Sequence, residues 1–205
     1  MLNDASKPEA VPSSSKQHIA FVGYVSVHGS TRDIAAHLAS ELAKAGFSVT
    51  LRDLKNTPLK FADMNSLLAE LKTASVVLLG SSLSHSDWQP ELIPIIGFLE
   101  QELLKLPVPV HYFSVNAVGA MSSFYGDCYS NHLRRGQRLP PAISRLANTA
   151  NVKEPARTHH FFAGRMQAKQ YSCIDTCCVH RSHGELGDYI SWQEVDNWIA
   201  DVRRV

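Results

Sequence analysis

From residue 18 onward the chain alternates between two hydrophobic rhythms. Short unbroken apolar runs read as strands buried on both faces, and apolar positions three or four apart read as helices. Residues 18–25 form the first run, rich in Ile, Phe and Val. Helical spacing follows over 31–45, where Ile34, Ala35, Leu38 and Leu42 share a face and Gly46 supplies a stop. Residues 47–54 predict a second strand and 63–72 a second helix. Residues 75–82, with a Val-Val-Leu-Leu centre, predict a third strand, and 90–104 a third helix in which Pro94 either bends the axis or marks the true start. A fourth strand is expected over 108–115. The rhythm then breaks across 116–157, which holds glycines, the pair Pro140-Pro141 and a short helical pattern at 142–147. A strand signal returns at 158–163. The last helix is expected to begin at Ser191, capped by its hydroxyl while Glu194 reaches back in a capping box. Its buried stripe would be Trp192, Val195, Trp198, Ile199 and Val202.

Strands alternating with helices predict right-handed crossovers and an α/β parallel sheet covered on both sides. Five strands at this spacing fit the doubly wound order 2-1-3-4-5. The expected organisation is a disordered lead-in over 1–17, one domain over 18–205, and an insertion over about 116–157.

Composition narrows the class. The 205 residues are 44% hydrophobic and 19% charged with a formal charge of +1, ordinary for a soluble globular domain and without the basic excess of a general nucleic-acid binder. No stretch reaches the roughly 18 apolar residues needed to cross a bilayer. The first residues carry Asp4, Glu9, two prolines and Ser13-Ser14-Ser15, a pattern of neither a secretory signal nor a typical transit peptide. The four cysteines at 128, 173, 177 and 178 are expected to be reduced thiols of a cytoplasmic protein.

In doubly wound sheets ligands bind at the carboxyl ends of the strands, near the switch point beside the first one. The loop there is Ser26-Val27-His28-Gly29-Ser30-Thr31, leading directly into the first helix. Gly29 lets the backbone turn closely around a ligand, the helix N-terminus favours negative charge, and three hydroxyls add donors. With no Lys or Arg in it, the loop is a neutral cradle for a phosphate monoester. The dinucleotide pattern G-x-G-x-x-G is absent, as is the Gly-Lys-Ser/Thr of a P-loop. No acidic residue lies between Ile19 and Thr31, against a receiver domain, and no cysteine nucleophile, against a low-molecular-weight phosphatase. A plain helix cap in a Ser/Thr-rich turn remains the alternative.

This hexapeptide resembles the flavodoxin phosphate-loop pattern Ser/Thr-x-Thr-Gly-x-Thr, with His28 at the usual Thr. Gly80-Ser81-Ser82-Leu83, Phe113-Ser114-Val115-Asn116, Phe161-Phe162-Ala163-Gly164-Arg165 and Ser191-Trp192 follow in order. Together, over residues 18 to 204, they resemble the flavodoxin-type, quinone-linked protoporphyrinogen dehydrogenase family, which also has a long insertion after its Ser-Val-Asn strand. The resemblance implies a flavodoxin-like fold, noncovalent FMN, and an FMN-dependent oxidoreductase passing two electrons from a porphyrinogen to a quinone or redox-protein acceptor. It also implies contact with the periphery of the inner membrane, and a homo-oligomer is compatible with it. Two segments depart from the family. Leu83-Ser84-His85-Ser86 stands where an Ile-Arg-Tyr-Gly-like stretch is common, and residues 166 to 184 are more polar than the family's apolar, basic segment. An electron-transfer carrier without its own substrate and a binding or regulatory module are the alternative functions.

With a phosphate at 26–31, the isoalloxazine would lie across the loops after strands three and four. The candidates are Ser82, Leu83, Ser84, His85 and Trp88 on one side, and Asn116, Ala117, Val118 and Gly119 on the other. Trp88 either stacks on the ring or covers core. His85 either bonds a flavin carbonyl or is a solvated loop histidine. No catalytic acid or base is identifiable, since the flavin itself carries the redox step. The insertion is basic, with Arg134, Arg135, Arg138, Arg145, Lys153 and Arg157 against Asp127 and Glu154. It suits a dicarboxylate such as a porphyrin, an anionic lipid surface, or solvent alone. Cys173, Cys177, Cys178, His180 and His183 fall within eleven residues but match no strong metal spacing, and no metal is expected.

Overall fold

The first apolar run forms strand β1 (Ile19–Val25), and a computed structural model describes the chain over residues 18–84, 87–116, 140–148, 157–167 and 187–204. The expected lead-in, most of the insertion and the Cys/His cluster lie outside the described residues. After β1 come helix α1 (Ser30–Lys44), β2 (Ser48–Asp53), α2 (Phe61–Thr73), β3 (Val76–Ser84), the two-residue β4 (Asp87–Trp88), α3 (Ile93–Lys105) and β5 (Val110–Asn116). A 3-10 turn (Pro141–Ile143) then leads into the short α4 (Ser144–Asn148), followed by β6 (Arg157–Ala163). Two-residue strands β7 (Arg165–Met166) and β8 (Gly187–Asp188) precede the last helix, α5 (Trp192–Val202).

The principal strands are parallel and lie in the order β2-β1-β3-β5-β6, the expected 2-1-3-4-5 arrangement once the short β4 is set aside. Period-two alternation sends side chains to opposite faces. Phe21 and Val25 of β1, with Val110 and Tyr112 of β5, pack against α2, α3, the 3-10 turn and α4 through Met64, Leu67, Leu71, Ile95, Ile96, Leu99, Ile143 and Leu146. Ala20, Val22 and Tyr24, with Phe113 and Val115, pack against α1 and α5 through Ile34, Leu38, Leu42, Val195, Trp198 and Ile199. One strand thus serves two cores, which is why the central runs are apolar without a break. Gly80 is demanded by this packing. A Cβ there would sit 2.1 Å from the Phe113 ring.

Several details differ from expectation for local reasons. Helix α3 starts at Ile93 with proline in its first turn, so Pro94 marks the start and does not bend the axis. Asp87 and Trp88, expected in a loop, pair antiparallel with Ser84 and Leu83 of β3. Ser191 does cap α5, its Oγ accepting from the Glu194 N–H at 3.3 Å. The Glu194 carboxylate instead meets His160 Nε2 at 2.9 Å, so its side chain has a tertiary partner. Trp192 is 37% exposed and rests beside the His37 ring, outside the buried stripe of Val195, Trp198, Ile199 and Val202. No helix among the described residues is long and apolar enough to cross a membrane.

Candidate functional site

Parallel register brings the carboxyl ends of the central strands to one edge. Val25 lies opposite Ser81, and Ser82 opposite Val115, so Ser26, Ser82, Leu83 and Asn116 are neighbours along that edge. At its centre the loop after β1 enters α1. Gly29 is the N-cap residue, with φ of +92°, a left-handed conformation that glycine tolerates and branched residues resist. Its amide donates to Ser26 Oγ at 3.1 Å, and its carbonyl accepts the helical bond from Asp33. Val27 and His28 are exposed, whereas Ser30 and Thr31 are buried.

The three hydroxyls of the loop have different partners. Ser26 Oγ accepts from the Gly29 amide and Ser30 Oγ accepts from the Arg165 amide at 2.9 Å, so each retains its proton for donation. Thr31 is 1% exposed, and its Oγ1 has no hydrogen-bond partner. A buried hydroxyl without a partner costs about 1–3 kcal/mol, a cost that an anion accepting its proton would remove. Together with the N–H groups that every helix leaves unpaired in its first turn, this donor set fits a phosphate monoester. A simple side-chain cap does not account for it, because the N-cap residue, Gly29, makes no side-chain cap bond.

Around this cradle stands a charged frame. Asp33, in the first turn of α1, receives hydrogen bonds from Arg165 Nη1 and, at 3.2 Å, from Arg32 Nε. Arg165 Nε also donates to Asp188 Oδ2 at 2.6 Å. Burial pushes the Asp188 carboxyl upward, but its bonds to Arg165 and the Ile190 amide together outweigh that and hold it below the ordinary value. The bonds to Asp188 and then Asp33 raise the Arg165 guanidinium above its usual range.

On the other side of the edge the polar groups satisfy one another. Trp88 is 1% exposed, packs beside Tyr112, and donates its indole N–H to Ser114 Oγ at 2.8 Å. Ser114 Oγ, which accepts that indole N–H, also lies 2.8 Å from His159 Nε2, a hydrogen bond whose donor is set by the ring tautomer. Burial, and secondarily the neighbouring His160, lower the His159 pKa to about 4, which keeps the ring neutral. Asp87 Oδ1 accepts from the amides of Trp88 and Ala142, tying β4 to the turn before α4. Trp88 is therefore a core residue, the second of the two roles expected for it, with its indole N–H satisfied by Ser114.

Of the remaining expected ring neighbours, Ser82 is half-buried and accepts from Gln89 Nε2 at 3.1 Å, Leu83 packs partly against the core, and Asn116 ends β5 with its carbonyl accepting from the Gly164 amide at 3.2 Å. Ser84 ends β3. His85, Ala117, Val118 and Gly119 lie outside the described residues. Arg165, Asp33 and Ser114 were missing from the sequence-derived site. Ser114 and Arg165 stood only as letters of strand-end segments, and their distant partners have no sequence spacing. A further unanticipated group, His37, Glu41 and Asp196, places one possible ligand atom each within 4.8 Å of the others. His37 already meets Asp196 at 2.6 Å, and Glu41 accepts from Lys44 at 2.6 Å. The cluster thus reads as a hydrogen-bonded join of α1 and α5.

A family model described as the flavodoxin domain matches residues 21–188. A comparison with curated proteins finds no match. Among solved structures, the chain is similar to a cysteine-to-serine mutant of flavodoxin from Pseudomonas aeruginosa, at 14% identity and a TM-score of 0.48, covering 90% of this chain and 96% of that one. It is similar to the two-electron reduced flavodoxin of Megasphaera elsdenii, at 16% identity and a TM-score of 0.43, covering 71% and 85%. A third likeness, at 19% identity and a TM-score of 0.41, is to the rubredoxin oxygen:oxidoreductase of Desulfovibrio gigas, covering 49% of this chain. The chain spans 23% of the length of that oxidoreductase. The family model takes in β1 through β8 almost entire, and the chain belongs to the flavodoxin domain family, whose cofactor is FMN.

Proposed function

We propose that the protein is an FMN-dependent electron-transfer protein that takes electrons from one redox partner and passes them to another. The observation that carries this reading is the buried, unpartnered Thr31 hydroxyl beneath a left-handed Gly29 at the start of α1. It lies where a flavodoxin domain needs a phosphate donor. In this reading Ser26, Ser30 and Thr31 donate to the FMN phosphate, and the first-turn amides of α1 complete the cradle. The flavin, when bound, supplies the redox chemistry, and the chain supplies position and electrostatics. No buried acid or base among the described residues stands at the sheet edge ready to move a substrate proton. His159 is held neutral and is already hydrogen-bonded to Ser114.

The absorption spectrum of the purified protein, before and after adding FMN, is the first test. Flavin bands that stay with the protein are expected, and a colourless chain that rejects FMN would overturn the reading. The flavoprotein is then mixed anaerobically with protoporphyrinogen and a quinone in one arm, and with a flavodoxin reductase and its reductant in the other. Reduction by the reductase alone is the expected outcome. Turnover of the porphyrinogen would instead establish the dehydrogenase activity implied by the strand-end segments and the basic insertion.

A further inference from the structure

The cradle contains one group that opposes an anion. Asp33 occupies the first turn of α1, together with Ser30 and Thr31. A carboxylate there suits the helix dipole, yet it repels a phosphate bound at the same helix end. Arg165 offsets it. The guanidinium is only 23% exposed and is held between Asp33 and Asp188. Arg32 also reaches Asp33, but it is 62% exposed and its charge is largely screened by water.

The same residue acts through its backbone. Its amide donates to Ser30 Oγ, which fixes that hydroxyl as acceptor on one side and donor on the other. The preceding Gly164 keeps the two segments close. A Cβ there would lie 3.0 Å from Val115 Cγ1 and 3.4 Å from both Cβ and Oγ of Ser30. The Gly164 amide and carbonyl are anchored by Asn116 and Tyr189 respectively. The strand end at 163–165 is thus a fixed platform under the start of α1.

We propose that Arg165 is a positioning residue of the phosphate cradle: it neutralises Asp33 and holds Ser30 as a phosphate donor while its own guanidinium N–H groups serve two carboxylates. This rests on the assignment of FMN to the loop after β1. Arg165 joins elements 132 residues apart in sequence, so a purely structural staple is the competing account. The two accounts differ in what they do to a flavin that lacks the phosphate. A lost staple loosens the loop for any flavin, whereas a lost charge balance penalises only the phosphorylated one.

The test titrates the full-length apoprotein with FMN and with riboflavin, following flavin fluorescence, for wild type, R165M, D33N and the double variant. R165M is expected to weaken FMN about tenfold, the effect of one uncompensated like charge at a partly buried site, with riboflavin within about twofold. Adding D33N to R165M is expected to restore most of the lost FMN affinity. D33N alone, which removes the carboxylate that repels the phosphate while Arg165 stays paired with Asp188, is expected to tighten FMN about threefold without moving riboflavin. This second variant keeps the proposal testable should R165M not fold. Parallel losses of FMN and riboflavin, failure of D33N to rescue, or weaker FMN binding in D33N alone would each overturn the proposal. A wild-type protein that binds neither flavin would overturn the FMN assignment itself, a result distinct from these.

Discussion

Two halves of the same sheet edge use buried polar groups in opposite ways. Beside β3 and β5, Trp88, Ser114 and His159 form a closed chain in which each side chain is hydrogen-bonded to the next. Beside β1, Thr31 is as deeply buried, yet its hydroxyl has no partner. Closed networks rigidify a core, and open ones at a strand end await a ligand. Position matters as much as the missing partner. His111 Nε2 is also buried without a hydrogen bond, but that ring is engaged through Nδ1 with Thr158 and sits near the start of β5, away from the ligand edge.

The largest effect that could break this comparison is on FMN binding. Thr31→Val combined with Ser26→Ala removes two hydroxyl donors to a charged acceptor, each contributing about 1.5–3 kcal/mol. FMN affinity is expected to fall about a hundredfold or more by fluorescence titration. Thr31→Val alone should leave the apoprotein as stable as wild type or more so, since it removes an unsatisfied buried group. Unchanged FMN affinity in the double variant would show that the phosphate lies elsewhere, and a destabilised Thr31→Val apoprotein would show that the hydroxyl is engaged without ligand.

Two buried histidines, His159 inside the closed network and His111 outside it, predict a pH dependence. Burial lowers His111 from 6.5 to about 4, and burial with the neighbouring His160 does the same for His159. Between those values the unfolded chain binds protons that the folded chain refuses. The stability from the neutral rings is therefore fully present above about pH 6.5 and is lost as pH falls toward 4. For His111, 2% exposed, this is about 3 kcal/mol. Denaturant midpoints measured at pH 7.5, 6 and 5 should decline in that order. A flat series would mean that these rings accept protons in the folded state as readily as in the unfolded chain.

A smaller effect follows at Trp88. Trp88→Phe loses the indole bond to Ser114 and part of the buried ring, and is expected to cost about 1–3 kcal/mol of stability by urea denaturation. FMN affinity should stay within about twofold, the margin for a residue that touches no ligand. A clear loss of flavin affinity with stability intact would return Trp88 to the flavin site.

The contrast also explains what could be read from the chain. The apolar runs at β1, β3 and β5 and the helical stripes of α1 and α5 are local patterns, so strand order and layering follow from them. The loop at 26–31 was legible because a tight glycine turn, hydroxyls and a helix start are contiguous. Trp88 was ambiguous in the sequence because an aromatic residue after a strand suits core and ligand equally. Its partner Ser114 lies 26 residues away and His159 a further 45, and only the sheet register makes them adjacent. Arg165 was hidden for the same reason, since its acidic partner Asp33 is in the first helix. Ser191 and Glu194 looked like a reciprocal cap from spacing alone, but a tertiary partner, His160, took the glutamate.

Ser82 offers the finest measure of where the two halves divide. It stands at the ligand edge, opposite Val115 and near the end of β3, so proximity alone would place it with Thr31. Its hydroxyl oxygen accepts from the Gln89 side chain, and Gln89 is further held through its own amide on Ser81 Oγ, a tie to the segment before α3 that Ser26 lacks. Ser82→Ala should therefore cost about 0.5–1.5 kcal/mol of stability, the value of one neutral hydrogen bond. It should change FMN affinity by no more than about twofold, while Ser26→Ala in the same titration shows the larger loss. An effect on FMN equal to that at Ser26 would mean that the Ser82 proton is given to the flavin. The boundary between open and closed donors would then lie beyond β3, between Ser82 and the Trp88 relay.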